Sequence, residues 1–204
     1  MEYFHEHVTE KSWEELKVLQ KKVNFILIGG WAIYLYTRQL KSKDIDIIVD
    51  FDQLPILQNL YPLTKNDRLK KYEAVRDVVQ MDIYLPHYSH LGIAVAEIQQ
   101  HTEDRESFRL IDPNYLFALK VYALAQRGHS VKGRKDFLDI ISLHSAGICN
   151  LPFIATLLRE HKLEKEKTEF VQFLHESTQL PELNISSHRY AKFKREILGG
   201  LSGL

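Results

Sequence analysis

Apolar and polar positions follow two different patterns along the chain. Ser12, Trp13, Glu14 and Glu15 read as a capping box, in which the serine hydroxyl accepts from an exposed amide and Glu15 reaches back, so a helix is predicted from Ser12 to about Lys22. Residues 23–28 (VNFILI) form an apolar run too short for a helix and rich in β-formers, which predicts a buried strand ending at Gly29-Gly30. A helix is expected over 31–40, starting directly off the glycine pair, with Tyr34, Leu35 and Leu40 on its apolar stripe. Strands are expected at 45–51 (IDIIVDF) and 78–85 (VVQMDIYL), the latter ended by Pro86. Between them lies a Lys/Arg-rich span with a helix at 54–60.

The pattern changes at Asp112-Pro113. Aspartate can cap a helix, and proline at the first helical position loses no bond the helix would have made. Helical spacing predicts helices over 114–126, 135–144, 152–163 and 166–178, with Gly128, Gly133 and Gly147 as breakers. The fold class expected is α+β: a small mixed sheet flanked by helices over 1–111, then an all-helical half over 112–204. The glycine-rich stretch 198–204 is expected to fray.

Composition adds little against this reading. The 204 residues carry 27 Lys plus Arg and 27 Asp plus Glu, so the formal net charge is zero, and this excludes a protein that coats nucleic acid through bulk charge. The single cysteine, Cys149, cannot form an internal disulfide and is read as a small hydrophobe, which makes a reducing, cytoplasmic setting the expectation. The first residues mix acids and histidines and no apolar run approaches a bilayer span, so neither a signal peptide nor a membrane segment is predicted. His5-Glu6-His7 and the histidines at 87 and 90 lack zinc-motif spacing and read as surface groups.

Candidate chemistry concentrates in residues 27–50, LIGGWAIYLYTRQLKSKDIDIIVD. A glycine pair stands between a strand and a helix N-terminus, and Asp44 and Asp46 open the next strand. Side chains two apart on a strand share a face, so both carboxylates can converge beside the glycine turn. Two carboxylates held together repel unless a hard, oxygen-seeking cation such as Mg²⁺ lies between them. The glycines allow close approach of backbone amides, and the helix N-terminus favours a phosphate. Asp82 is a third acid, mid-strand, with Met81 and Ile83 directed to the opposite face.

The pattern of Gly29-Gly30, thirteen residues, Asp44-Ile45-Asp46 and a later isolated Asp82 resembles the DNA polymerase β-like nucleotidyltransferase superfamily over about residues 23–85. Gly30 stands where many members have serine. Residues 113–144 (PNYLFALKVYALAQRGHSVKGRKDFLDIISLH) resemble the C-terminal helical motifs of AbiEii-type nucleotidyltransferases, which include toxins of toxin–antitoxin systems. Aminoglycoside nucleotidyltransferases share a similar GGWA start and KD…DI helix.

The resemblance implies transfer of a nucleoside monophosphate from an NTP to an acceptor hydroxyl with release of pyrophosphate, using Mg²⁺ or Mn²⁺. It implies that Asp44, Asp46 and Asp82 are metal ligands and catalytic acids, and that Lys120 and Asp136 complete the site with Arg134 and Asp139 in support. Gly29, Gly30, Lys43, Lys120 and Arg134 form the nucleotide-binding set. RNA, tRNA in particular, a small molecule or a protein are the acceptors it allows, with an antitoxin or operon partner.

Each of these residues also has a plainer reading. A catalytically silent nucleotide-binding or partner-binding module on the same fold is the alternative function, and Lys120 and Asp136 can equally be an interhelical salt bridge. Trp31 is read as core. Lys65, Arg68, Lys70, Lys71 and Arg76 are read as a polar hairpin surface, residues 160–169 as a solvated helix face, and Arg189, Lys192, Lys194 and Arg195 as a locally basic tail. No GxxxxGK[ST], GxGxxG or GxSxG segment occurs, which removes the P-loop, dinucleotide and serine-hydrolase readings.

Overall fold

Strand-forming runs confined to the first half and helical spacing in the second shape the observed architecture. The computed structural model describes residues 2–202, with side chains described from residue 6 onward. The chain divides into two units, Met1–Asp112 and Pro113–Leu204.

The first unit runs α1 (Glu2–Gln20), β1 (Ile26–Ile28), α2 (Gly29–Thr37), β2 (Ile45–Ile48), α3 (Leu54–Leu60), β3 (Leu63–Asn66), β4 (Lys71–Arg76), β5 (Val79–Tyr84), α4 (Val95–Ile98), β6 (Thr102–Arg105) and β7 (Phe108–Ile111). Its strands form one mixed sheet in the order β3-β4-β5-β2-β1-β7-β6. The β2/β5 and β1/β7 pairs are parallel and the other neighbours antiparallel. Alternation divides the sheet into two faces. Ile45, Ile47, Ala74, Met81 and Ile83 are buried on one, while Asp46, Glu73, Gln80, Asp82 and Tyr84 are half-buried on the other. The short polar strands β3 and β6 form the two edges.

Helix α1 begins at Glu2, ten residues before the expected cap. Val8, Ser12, Leu16 and Leu19 lie along one buried stripe, and Thr9 is buried beside it. The small polar residues Thr9 and Ser12 hide this stripe from a hydrophobicity count. Ser12 is therefore mid-helix, and its hydroxyl accepts from the Trp31 indole N–H at 2.8 Å. Trp31, 1% exposed, is core, its ring tilted at 39° against that of Trp13 with centroids 4.9 Å apart.

The second unit contains α5 (Pro113–Arg127), α6 (Val131–Ser145), α7 (Leu151–Glu160), α8 (Glu164–Glu176) and α9 (Ser187–Leu201). Phe117, Phe137 and Phe170 are fully buried, with Phe117 edge-on to Phe170 at 5.8 Å. Helix α6 begins four residues before its expected start because Ser130 caps it, accepting from Gly133 N–H at 3.1 Å. Gly133 lies inside that helix rather than breaking it: a Cβ there would fall 1.9 Å from the Gly128 carbonyl oxygen, so the absent side chain permits the close turn into α6.

Helix α9 replaces the expected fraying over 198–201. Ser186 caps it, and Tyr190, Phe193, Ile197 and Leu201 are buried along one face. Gly203, Leu204 and the side chain of His5 lie outside the described residues. The fold is α+β, a mixed sheet with helices followed by a helical half, and among the described residues no helix is long and apolar enough to cross a membrane.

Candidate active site

The turn from β1 into α2 sets the first unit's candidate centre. Gly29 adopts φ +66°, a backbone region that favours glycine. A Cβ built there would fall 2.0 Å from Asp46 Oδ2 and 2.7 Å from Asp46 Cβ, so the carboxylate packs directly against the glycine α-carbon. Gly30, in the first turn of α2, is buried, and no side chain caps the helix from Ile28. The positive end of α2 thus meets the Asp46 carboxylate. Asp44 occupies the bend before β2, where its carbonyl accepts from the Ser42 hydroxyl at 3.0 Å, and Lys43 beside it is half-buried.

Register brings the third acid alongside. Asp46 pairs with Ile28 on one side and with Asp82 of parallel β5 on the other, and Asp82 faces Glu73 of β4. Residues paired across strands share a face, so Asp46, Asp82 and Glu73 form a row across three strands. Sequence reasoning missed the cation in that row. Lys71 Nζ lies 2.6 Å from Asp82 Oδ2 and 2.9 Å from Glu73 Oε1.

Gln80 donates to Asp82 Oδ1 at 3.1 Å, and Asn66 donates to Glu73 at 3.2 Å. Burial alone would pull the Lys71 ammonium down, but the Asp82 and Glu73 carboxylates hold it above its ordinary value; Lys71 in turn holds the Glu73 carboxyl below its own. The basic hairpin reading survives for Lys65, Arg68, Lys70 and Arg76, which are exposed, and fails for Lys71, which is 6% exposed. The detectable signal was Lys71-Tyr72-Glu73, two opposite charges two residues apart and so on one strand face, with the aromatic between them on the other.

Donor chemistry tests the fit to a metal. Asp44 and Asp46 supply hard carboxylate oxygens suited to Mg²⁺. The Asp82 carboxylate is engaged by Lys71 and Gln80, and among the described residues no three or more His, Cys, Asp or Glu side chains gather as a metal-holding group. A cleft of about 750 Å³ opens at the opposite ends of β1 and β2, lined by residues including Asn24, Phe25, Asp50 and Arg109.

The second unit gathers its own charged cluster. Lys120, 8% exposed, reaches Asp136 Oδ1 at 2.8 Å and Asp139 Oδ2 at 2.7 Å, and Arg127 reaches Asp136 Oδ2 at 2.7 Å. The Asp139 contact is one of charge and distance without hydrogen-bond alignment, and Asp139 Oδ1 meets no donor among the described residues. Burial opposes the Lys120 charge, but Asp139 and Asp136 prevail and hold it well above the ordinary lysine value. Arg127, absent from the expected set, is the partly exposed member. Arg134, which was in that set, instead donates to Glu182 at 3.0 and 3.1 Å and lies over the Phe137 ring.

No protein-family model matches the chain, and no curated protein is significantly similar to it in sequence. Solved structures do resemble it distantly. JHP933 from Helicobacter pylori is 14% identical with a TM-score of 0.52, over 95% of this chain and 92% of that one, which shows a shared fold. An antigenic nucleotidyltransferase-like protein from Paracoccidioides brasiliensis is 16% identical with a TM-score of 0.42, over 80% of this chain and 91% of that one. The Megavirus polyadenylate synthase is 14% identical with a TM-score of 0.46, over 70% of this chain but 32% of its own.

Proposed function

We propose that this chain is a divalent-metal-dependent nucleotidyltransferase whose centre is the Gly29/Asp46 corner of the first unit. The observation that carries the reading is the fit of the Asp46 carboxylate against Gly29 at the N-terminus of α2, with Asp82 in register on the next strand. It joins an anion-favouring helix end to paired acids in the order that the sequence resemblance requires. The acceptor hydroxyl oxygen bonds to the α-phosphorus of an NTP, the bond from that phosphorus to the α–β bridging oxygen breaks, the hydroxyl proton passes to water and pyrophosphate leaves with the bonding electron pair.

Asp44 and Asp46 would hold Mg²⁺ or Mn²⁺, which when bound supplies positive charge against the triphosphate. The amides at Gly29 and Gly30 cradle phosphate oxygens. Asp82, held by Lys71 and Gln80, contributes negative charge beside the Asp46 carboxylate rather than acting as the proton acceptor. Lys120 carries a charge already matched by two carboxylates, so its part in the second unit is to hold Asp136, and with it Arg127, in one buried network. Lys43, half-buried beside Asp44, is the peripheral nucleotide contact of the first unit, whereas Arg134 is engaged by Glu182. On the sequence resemblance to AbiEii-type enzymes we further propose an RNA acceptor, with small molecules and protein hydroxyls as rivals, and an antitoxin or operon partner.

The test is label transfer from each α-labelled NTP into RNA, aminoglycosides and the protein itself. Transfer by the wild type and its loss in Asp44→Ala and Asp46→Ala is the expected result; equal transfer by either variant refutes the assignment. A second reading, a nucleotide-binding module without transfer, draws on the Lys71–Asp82 pair. It requires NTP- and Mg²⁺-dependent thermal stabilisation with no label moved to any acceptor.

A further inference from the structure

The hairpin between β3 and β4 gathers charge and aromatic surface in a chain whose net charge is zero. Residues 65–70 carry three exposed cations, Lys65, Arg68 and Lys70, against one carboxylate, Asp67. That carboxylate is spent within the turn: its Oδ1 accepts from the Tyr88 hydroxyl at 3.0 Å and lies 2.9 Å from Lys65 Nζ. Arg68 and Lys70 form no ion pair among the described residues.

Two rings stand beside these cations. Register places Tyr72 opposite Lys65, and Tyr72 and Tyr88 are half-buried, with centroids 5.9 Å apart and planes tilted by 53°. The Lys65 and Lys70 ammoniums lie 5.1 and 5.6 Å from the Tyr88 centroid, within cation–π reach. Lys70 holds that place at φ +51°, a left-handed backbone that favours glycine, and the Leu69 amide closes the turn on Asn66 Oδ1 at 3.0 Å. Ring and turn together restrain lysines that would otherwise move freely, so less side-chain entropy is lost when a partner binds. Strand alternation puts Lys65 and Tyr72 on the sheet face opposite Asp82 and Glu73, apart from the candidate centre. Uncompensated cations attract a polyanion, and a half-buried tyrosine offers π-surface to an unpaired base. Single-stranded nucleic acid presents both, whereas an acidic peptide would answer the charge and leave the rings unused.

We propose that the β3–β4 hairpin, through Arg68, Lys70, Lys65 and the Tyr72/Tyr88 pair, is a docking surface for single-stranded RNA. The inference rests on the nucleotidyltransferase reading with an RNA acceptor and deepens it: the hairpin grips the acceptor away from the reacting hydroxyl, so its part is affinity and not the chemical step.

The experiment is fluorescence anisotropy of a labelled oligouridylate of about 16 nucleotides with the full chain, in chelator and without NTP, over a KCl series. The wild type is expected to bind, with affinity falling as salt rises. Arg68→Gln/Lys70→Gln should weaken binding by about 10-fold or more at low salt and flatten the log–log salt slope by about 1.4, the loss of two single-strand phosphate contacts. Both side chains are exposed, so this variant should keep the wild-type melting temperature. Arg68→Lys/Lys70→Arg should retain binding, and Tyr72→Leu should weaken it by about 5-fold or more with the slope unchanged.

No binding by the wild type, or equal affinity and slope in the wild type and Arg68→Gln/Lys70→Gln, would overturn the inference. Capture by phosphatidylserine vesicles that is lost in that variant, with RNA binding unaffected, would assign the patch to a membrane surface and overturn it as well. The assay uses neither metal nor NTP. Hairpin-dependent RNA binding without label transfer to any acceptor therefore leaves this surface standing and refutes only the transferase reading, and transfer to RNA without hairpin-dependent binding does the reverse.

Discussion

Gly29→Ala tests the corner on which the site is built. Two separable costs arise. An L-residue held at φ +66° costs about 1–2 kcal/mol relative to glycine. The new Cβ, 2.0 Å from Asp46 Oδ2 and 2.7 Å from Asp46 Cβ, forces Asp46 and β2 to shift, which by analogy with overpacked cores costs about 1–3 kcal/mol more. The expected loss is therefore about 2–5 kcal/mol.

Removing the Asp46 side chain isolates the second cost. In an Asp46→Gly background, Gly29→Ala meets none of the atoms it struck before and should cost only the conformational strain, leaving a coupling of about 1–3 kcal/mol in the double-mutant cycle. Both tryptophans, Trp13 and Trp31, lie in the first unit. Urea unfolding followed by tryptophan fluorescence therefore reads this unit directly. Additivity of the two substitutions within about 0.5 kcal/mol would refute the claim that the carboxylate is seated against the glycine.

Further outcomes follow from other buried contacts. Ser12→Ala orphans the Trp31 indole N–H and should cost about 1–3 kcal/mol, with a shift in tryptophan emission; an unchanged urea midpoint contradicts the bond. Lys120→Met leaves Asp136 and Asp139 buried without their lysine and should cost about 3–5 kcal/mol by chemical denaturation, whereas a surface-like loss below about 1 kcal/mol would mean the network is solvated.

The pH dependence of that last deficit has a definite sign. Lys120 is raised in the folded chain, so its contribution is fully present below the unfolded lysine value of about 10.4 and is lost as pH rises through the higher folded value. The gap between wild type and Lys120→Met should hold from neutral to about pH 10 and narrow above it. A gap that narrows between pH 6 and 8, by about half or more, would point to a different titrating group.

Much of the fold was legible because its apolar runs are local. The strand at β1, the helix over 54–60 and the start of α5 at Asp112-Pro113 follow from run length, periodicity and proline chemistry. What was missed lies where polar residues face inward or where an element sits at an edge. Ser12 and Thr9 are small enough to be buried in α1, and Thr102 to Arg105 form a polar edge strand that alternation alone does not reveal. Helix α9 was missed because its exposed Arg189, Lys192 and Arg195 mask the stripe of Tyr190, Phe193 and Ile197.

At the candidate site, motif order named Gly29, Asp46 and Asp82, yet the adjacency of β2 and β5 is a matter of topology that no local pattern contains. Lys71 and Glu73 were hidden for the same reason. A lysine in a Lys/Arg-rich span counts as surface until strand pairing decides which of its neighbours faces an acid.

The most direct test of the central claim is transfer from an α-labelled NTP, scored for both products in one reaction. With Mg²⁺ or Mn²⁺ and the right acceptor pool, the wild type should place the α-phosphate label in the acceptor and release pyrophosphate in equal amount, and Asp46→Asn should do neither while keeping its urea midpoint. Label transfer that persists in Asp46→Asn, or pyrophosphate release that does not require Asp46, would contradict the placement of the chemistry at the Gly29/Asp46 corner.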